Sequence, residues 1–147
     1  MTRSHVILVV EDDPGDQLLI QEAFAEHTTD SRLEIVSDGE DALNFVHRTD
    51  PHAEAPRPDL VLLDLNLPRF DGRAVLRALK ADENLRSIPV VIFTTSSREE
   101  DVSGTYELHA NAFITKPVDF DDFSNVVQRI NSFFTRVARL PRPPEAA

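Results

Sequence analysis

Cysteine is absent from this chain, which removes disulfides, thiolate catalysis and cysteine-based metal centres from consideration. Long apolar runs are absent too. The longest, such as Val6 to Val10, fall far short of the roughly 20 residues that span a bilayer. Glycine is scarce, with 4 in 147 residues and no GxGxxG or Walker pattern, so no phosphate-cradling loop is visible. Basic charge is in the minority. Against 26 acidic residues stand 15 Lys and Arg, for a net charge of −11, a poor basis for gripping nucleic acid phosphates. The start, Met1 to His5, leads straight into an apolar strand with no signal-peptide h-region. These absences lead us to expect a cytoplasmic protein with neither a membrane nor a nucleic acid as partner. What is present, 41% hydrophobic and 28% charged residues, suits one globular domain with a real core.

Strand and helix patterns alternate five times. Apolar runs at His5–Val10, Leu33–Val36, Leu60–Leu63, Pro89–Phe93 and Ala112–Thr115 read as strands. The third reads as buried on both faces, the mark of a parallel sheet. Between them run helical stripes. Pro14 suits a first helical position, and Ser97-Arg98-Glu99-Glu100 has the spacing of a capping box. Residues 49–58, rich in proline and polar groups, read as a surface loop. Alternating strands and helices imply right-handed crossovers and an α/β doubly wound sheet. For five strands the expectation is the flavodoxin-like (βα)5 order 2-1-3-4-5. One domain is expected over residues 1–140, its last helix starting near 119 and extended toward 140. A loose Pro-rich tail is expected at 141–147.

Asp64 is the most telling residue, because it closes a buried strand. In open α/β sheets ligands bind beyond the carboxyl ends of the strands. The first strand ends before Asp12 and Asp13, the fourth before Thr94 and the fifth before Lys116. In the expected order all five side chains project into one cleft. Two unit charges about 4 Å apart repel by roughly 4 kcal/mol at an effective dielectric of about 20, so gathered carboxylates call for a cation. With oxygen ligands alone on offer, Mg2+ fits better than Zn2+, Mn2+ being a substitute, and the backbone carbonyl of Asn66 is placed to complete the shell. A carboxylate beside such an ion and a lysine can act as a nucleophile toward phosphorus, forming an acyl phosphate. There Lys116 would stabilise charge on the transferred group and Thr94 would donate a hydrogen bond to it.

Glu11-Asp12-Asp13, Leu62-Leu63-Asp64-Leu65-Asn66-Leu67-Pro68 with Asp71-Gly72, Thr94, and Lys116-Pro117 together resemble the two-component response-regulator receiver domain, the CheY-like class. The resemblance runs from about residue 5 to 135. It implies that Asp64 takes a phosphoryl group from a phosphohistidine of a sensor histidine kinase. It also implies that Asp12, Asp13 and the Asn66 carbonyl hold Mg2+ with Asp64, and that Lys116 contacts the phosphoryl group. Thr94 and Phe113 become a switch pair, and Lys116–Pro117 a cis peptide that aims the lysine. Phe113 stands where many relatives carry tyrosine, and His109 where they have the glycine that closes the fourth helix. Glu11 to Asp16, Thr94 to Ser97 and the long last helix are similar to stand-alone regulators paired with bacterial phytochromes, which makes such a kinase the expected partner.

Beyond residue 133 the apolar stripe of the last helix continues through Phe133, Phe134, Val137 and Leu140, more than a five-stranded sheet can cover. A homodimer through the fourth and last helices is expected. No residues remain for an output domain, so the expectation is a protein that signals by a phosphorylation-dependent surface, or serves as a phosphate sink or relay. It would gain and lose its own phosphoryl group without being a turnover enzyme. A haloacid-dehalogenase-type phosphatase would need a second acid where Asn66 stands, and room for a cap domain. A flavin or nucleotide binder is disfavoured by the missing glycine loop.

Overall fold

The computed structural model describes residues 4–26 and 31–141. Five parallel strands, β1 (His5–Val10), β2 (Ser31–Val36), β3 (Leu60–Leu63), β4 (Val90–Thr94) and β5 (Ala112–Thr115), form one sheet in the order β2-β1-β3-β4-β5. That is the flavodoxin-like order expected. The connecting helices are α1 (Pro14–Ala25), α2 (Gly39–His47), α3 (Gly72–Ala81), α4 (Glu99–Glu107) and α5 (Phe120–Ser132).

The pleat sends alternate residues of each central strand into two cores. Ile7, Val9, Leu60, Leu62, Val91 and Phe93 pack with α1 and α5. Leu8, Val10, Val61, Leu63, Val90 and Ile92 pack with α2 and α3. Because both faces are covered, the strands carry apolar runs rather than an apolar–polar alternation. The same burial holds the strand ends, and the residues just past them, in fixed relation.

Several local expectations are corrected. The Ser97 capping box does not form. Arg98 is the N-cap of α4 without a side-chain cap, and it is Ser96 Oγ that accepts from the Arg98 amide at 3.3 Å. Ser96 Oγ in turn donates to Asp101 Oδ2 at 2.5 Å, and Arg73 pairs with Asp101, so the loop is tied by ion-pair chemistry instead. Pro117 is not cis. Among the described residues the cis bond is Asp50–Pro51, in the surface loop. Trans is the favoured isomer, and three carboxylates rather than a cis bond orient the Lys116 ammonium.

The regular α-helix also stops at Ser132 and continues as a π-helical turn, Phe133–Val137. There the Thr135 hydroxyl donates to the Asn131 carbonyl at 2.6 Å and the Ala138 amide to that of Phe133 at 2.6 Å. Phe120 is 72% exposed at the start of α5, while Phe123, Val127 and Ile130 are buried. His109 closes α4 in the left-handed region, at φ 73°, the conformation glycine would take more readily. Residues 142–147, most of the expected tail, lie outside the described residues.

Candidate functional site

Asp64 directly follows β3, its amide bonded to the Val10 carbonyl of β1 at 3.1 Å. Gly72 closes the loop behind it, donating to the Leu65 carbonyl at 2.9 Å. A Cβ on Gly72 would lie 2.1 Å from the Asp64 carbonyl oxygen, so only glycine lets α3 start this close to the aspartate. Lys116 follows β5, and its amide donates to the Thr94 carbonyl at 2.7 Å. Glu11 follows β1, and its amide donates to the Val36 carbonyl at 3.0 Å. Backbone pairing thus carries on past the strand ends and aligns all three side chains.

The Lys116 ammonium is the hub. It donates to Asp64 Oδ2 at 2.9 Å, to Asp16 Oδ2 at 2.8 Å, and to Glu11 Oε1. It also lies 5.9 Å from the centroid of the Phe93 ring. Lys116, Glu11 and Asp64 are all buried. Burial alone would lower the lysine's pKa. Hydrogen bonds to Asp16 and Glu11, and the charges of Glu11 and Asp64, override it and raise the pKa above the usual lysine value. Burial pushes the Glu11 carboxyl up to about 7, against the opposing hydrogen bond and charge of Lys116.

Glu11, Asp12 and Asp64 each offer a carboxylate oxygen within 4.8 Å of the others. Asp12 is exposed, so this triplet opens to solvent on one side. Three hard oxygen donors with an open side fit a Mg2+ or Mn2+ ion that retains waters. Asp13 is not in the triplet. It is the N-cap residue of α1, and its carboxylate oxygens lie 3.7 and 3.8 Å from where a Cβ on Gly15 would be. Of the expected pair Asp12 and Asp13, the triplet contains Asp12, with Glu11 beside it. Glu11 and Asp16 carried no site role in the sequence reading. Glu11 stands in the Glu11-Asp12-Asp13 motif, and the need of a lysine closing an apolar strand for carboxylate partners is the signal that could have found both.

Asn66 lies beside the triplet, its amide donating to Asp64 Oδ1 at 3.3 Å. Thr94 is wholly buried, and its Oγ1 has no hydrogen-bond partner among the described residues. A buried hydroxyl left in this way is costly unless a ligand supplies an acceptor. Phe113 is half-buried against the core on the α2–α3 face, and its amide donates to the Tyr106 hydroxyl of α4 at 3.2 Å.

A family model described as the response regulator receiver domain matches residues 7–128. The chain belongs to this family. The receiver domain is 45% identical over 136 residues to response regulator Rcp1 of Synechocystis sp., covering 92% of each chain. The Mn2+-bound crystal form of Rcp1 superposes with a TM-score of 0.90 at 44% identity, over 94% of this chain and 99% of that one. The phosphorylated cyanobacterial phytochrome response regulator RcpA gives 0.91 at 42% identity, with the same coverage. The receiver domain of sensor histidine kinase PA1611 from Pseudomonas aeruginosa, with magnesium in its active-site cleft, gives 0.67 at 28% identity, over 86% of this chain and 96% of that one. Among the described residues, no helix of the receiver domain is long and apolar enough to cross a membrane.

Proposed function

We propose that this receiver domain accepts a phosphoryl group on Asp64 from the phosphohistidine of a sensor histidine kinase, and signals through the surface this modification alters. The observation that carries the reading is a buried Asp64 carboxylate shared between a lysine ammonium and an oxygen-donor triplet. An Asp64 oxygen attacks phosphorus, the P–N bond breaks, and its electron pair leaves with the imidazole, which takes up a proton. Lys116 meets the charge on the phosphoryl oxygens, and the buried Thr94 hydroxyl finds there the acceptor it otherwise lacks. Glu11, Asp12, Asp64 and the Asn66 carbonyl would hold Mg2+ or Mn2+, which when bound neutralises charge on the transferring group. The same arrangement makes the protein gain and lose its own phosphoryl group without being a turnover enzyme.

Exposed apolar side chains stand next to the site residues. Leu18 is two positions past Asp16, Val118 two past Lys116, and Phe120 follows on α5. They offer a kinase an apolar rim around the acidic cleft. The similarity to phytochrome response regulators favours a bacterial phytochrome as that kinase. Movement of Thr94 would pass to Phe113 and to the α4–β5–α5 face. On that face a groove of about 430 Å³, lined by Ile114, Val126, Ile130, Phe133 and Phe134, adjoins the exposed Phe133 and Val137. We assign the homodimer contact here, and sedimentation as a monomer at tens of micromolar would refute it.

The decisive test is labelling with acetyl phosphate and Mg2+, read by intact mass. Wild-type protein gains one phosphoryl group and Asp64→Asn gains none while keeping its circular dichroism. Undiminished labelling of Asp64→Asn would assign the acceptor elsewhere.

A further inference from the structure

Two cations claim the same carboxylates in this site. The Lys116 ammonium is held by Glu11, Asp16 and Asp64, and the triplet suited to a divalent ion is Glu11, Asp12 and Asp64. Glu11 and Asp64 belong to both sets. Asp12 belongs to the ion's set alone, and Asp16 to the lysine's alone. We propose that Asp16 is the positioning residue that keeps Lys116 in the site once a divalent ion has taken Glu11 and Asp64. The proposal rests on the phosphoacceptor reading, because Lys116 is useful there only if it is still present when the phosphoryl group arrives.

The argument is one of protons and charge. An ammonium has three protons, and the three carboxylates accept all of them. With a divalent ion bound, Glu11 and Asp64 would share their lone pairs with it and hold the ammonium less tightly, and an acylated Asp64 would no longer offer a free carboxylate. Asp16 is the carboxylate that neither event engages. Its presentation is fixed: Pro14 sits at the start of α1 behind the Asp13 cap, and the Asp16 carboxylate reaches Lys116 across 100 residues of sequence. The simpler role for an acid in a first helical turn is to face the helix dipole. That role does not require an oxygen 2.8 Å from a buried ammonium.

The chain has two lysines, Lys80 and Lys116, which makes the test direct. Protein with 13C,15N-lysine gives two side-chain signals, and Lys80, in the last turn of α3 and bonded to Arg86, Ile88 and Asn111, serves as an internal control. In wild-type protein saturated with Mg2+, the Lys116 signal should keep the shift and slow proton exchange of a held ammonium. In Asp16→Asn, Mg2+ should move it to the free-lysine position, leaving Lys80 unchanged, and Asp16→Glu should restore it. Acetyl phosphate labelling at saturating Mg2+ should slow about tenfold in Asp16→Asn. Asp16→Ser gives the same comparison with the carboxylate replaced by a shorter, uncharged hydroxyl. A Lys116 signal that stays held in both Asp16→Asn and Asp16→Ser under Mg2+ overturns the proposal, as does a wild-type Lys116 signal that Mg2+ moves to the free-lysine position. Failure of wild-type protein to label would defeat the phosphoacceptor reading instead, and the lysine spectra would still decide the role of Asp16.

Discussion

Replacing Thr94 by valine should make the unphosphorylated protein more stable and the phosphorylated state less so. The Thr94 side chain is fully buried and its hydroxyl has no partner among the described residues. A buried polar group left in that state costs about 1–3 kcal/mol, and valine has nearly the same shape with nothing to satisfy. For a domain of this size, about 1 kcal/mol corresponds to roughly 2–4 °C in Tm. Thr94→Val should therefore raise Tm by about 2–12 °C in EDTA, with a higher urea midpoint and an unchanged m-value. Added Mg2+ and beryllofluoride, a phosphoryl mimic, should reverse the order of benefit. Wild-type protein gains a hydrogen bond to the mimic and Thr94→Val gains none, so the gap narrows or inverts. If Thr94→Val is destabilised in EDTA, the hydroxyl has a partner in the folded protein and the switch argument built on its isolation fails.

Asp12→Ala should remove most of the Mg2+-induced rise in Tm, and Asp13→Ala should leave most of it, because the triplet contains Asp12 and not Asp13. Differential scanning fluorimetry across a Mg2+ series checks the contrast, and equal losses would return Asp13 to the ion. Glu11 holds its proton up to about pH 7 in the folded protein, against 4.5 ordinarily. Between those values the folded state binds a proton that the unfolded chain has lost, so metal-free stability should fall as pH rises from about 4.5 to about 7. In the same window Mg2+ must displace that proton, so its affinity should rise by up to about tenfold per pH unit and level off above pH 7. Calorimetry in buffers of different ionisation enthalpy would detect the released proton. Tyr106 is the one tyrosine of a chain without tryptophan, and its hydroxyl accepts from the Phe113 amide. Its fluorescence should change on adding Mg2+ and beryllofluoride, and a constant signal would place α4 and Phe113 outside the response.

Five apolar runs and the helical stripes between them determined the strands, their parallel order and the sheet edge where ligands collect, because burial on both faces demands continuous apolar runs that are visible in the chain. The same logic brought Asp64, Thr94 and Lys116 to one end of the sheet. What the chain pattern did not determine is which atoms meet there. Whether residue 11, 12 or 13 faces the cleft depends on how far β1 continues to pair and on Asp13 standing at the N-cap position of α1. The partners of Lys116 come from residues 105, 100 and 52 positions away, a meeting that only packing arranges. The exposure of Phe120 and the π-helical turn after Ser132 likewise follow from where α5 lies on the sheet and where the sheet ends. Periodicity decides which face a residue belongs to; charge compensation across distant segments is settled in three dimensions, where burial makes every unpaired group expensive.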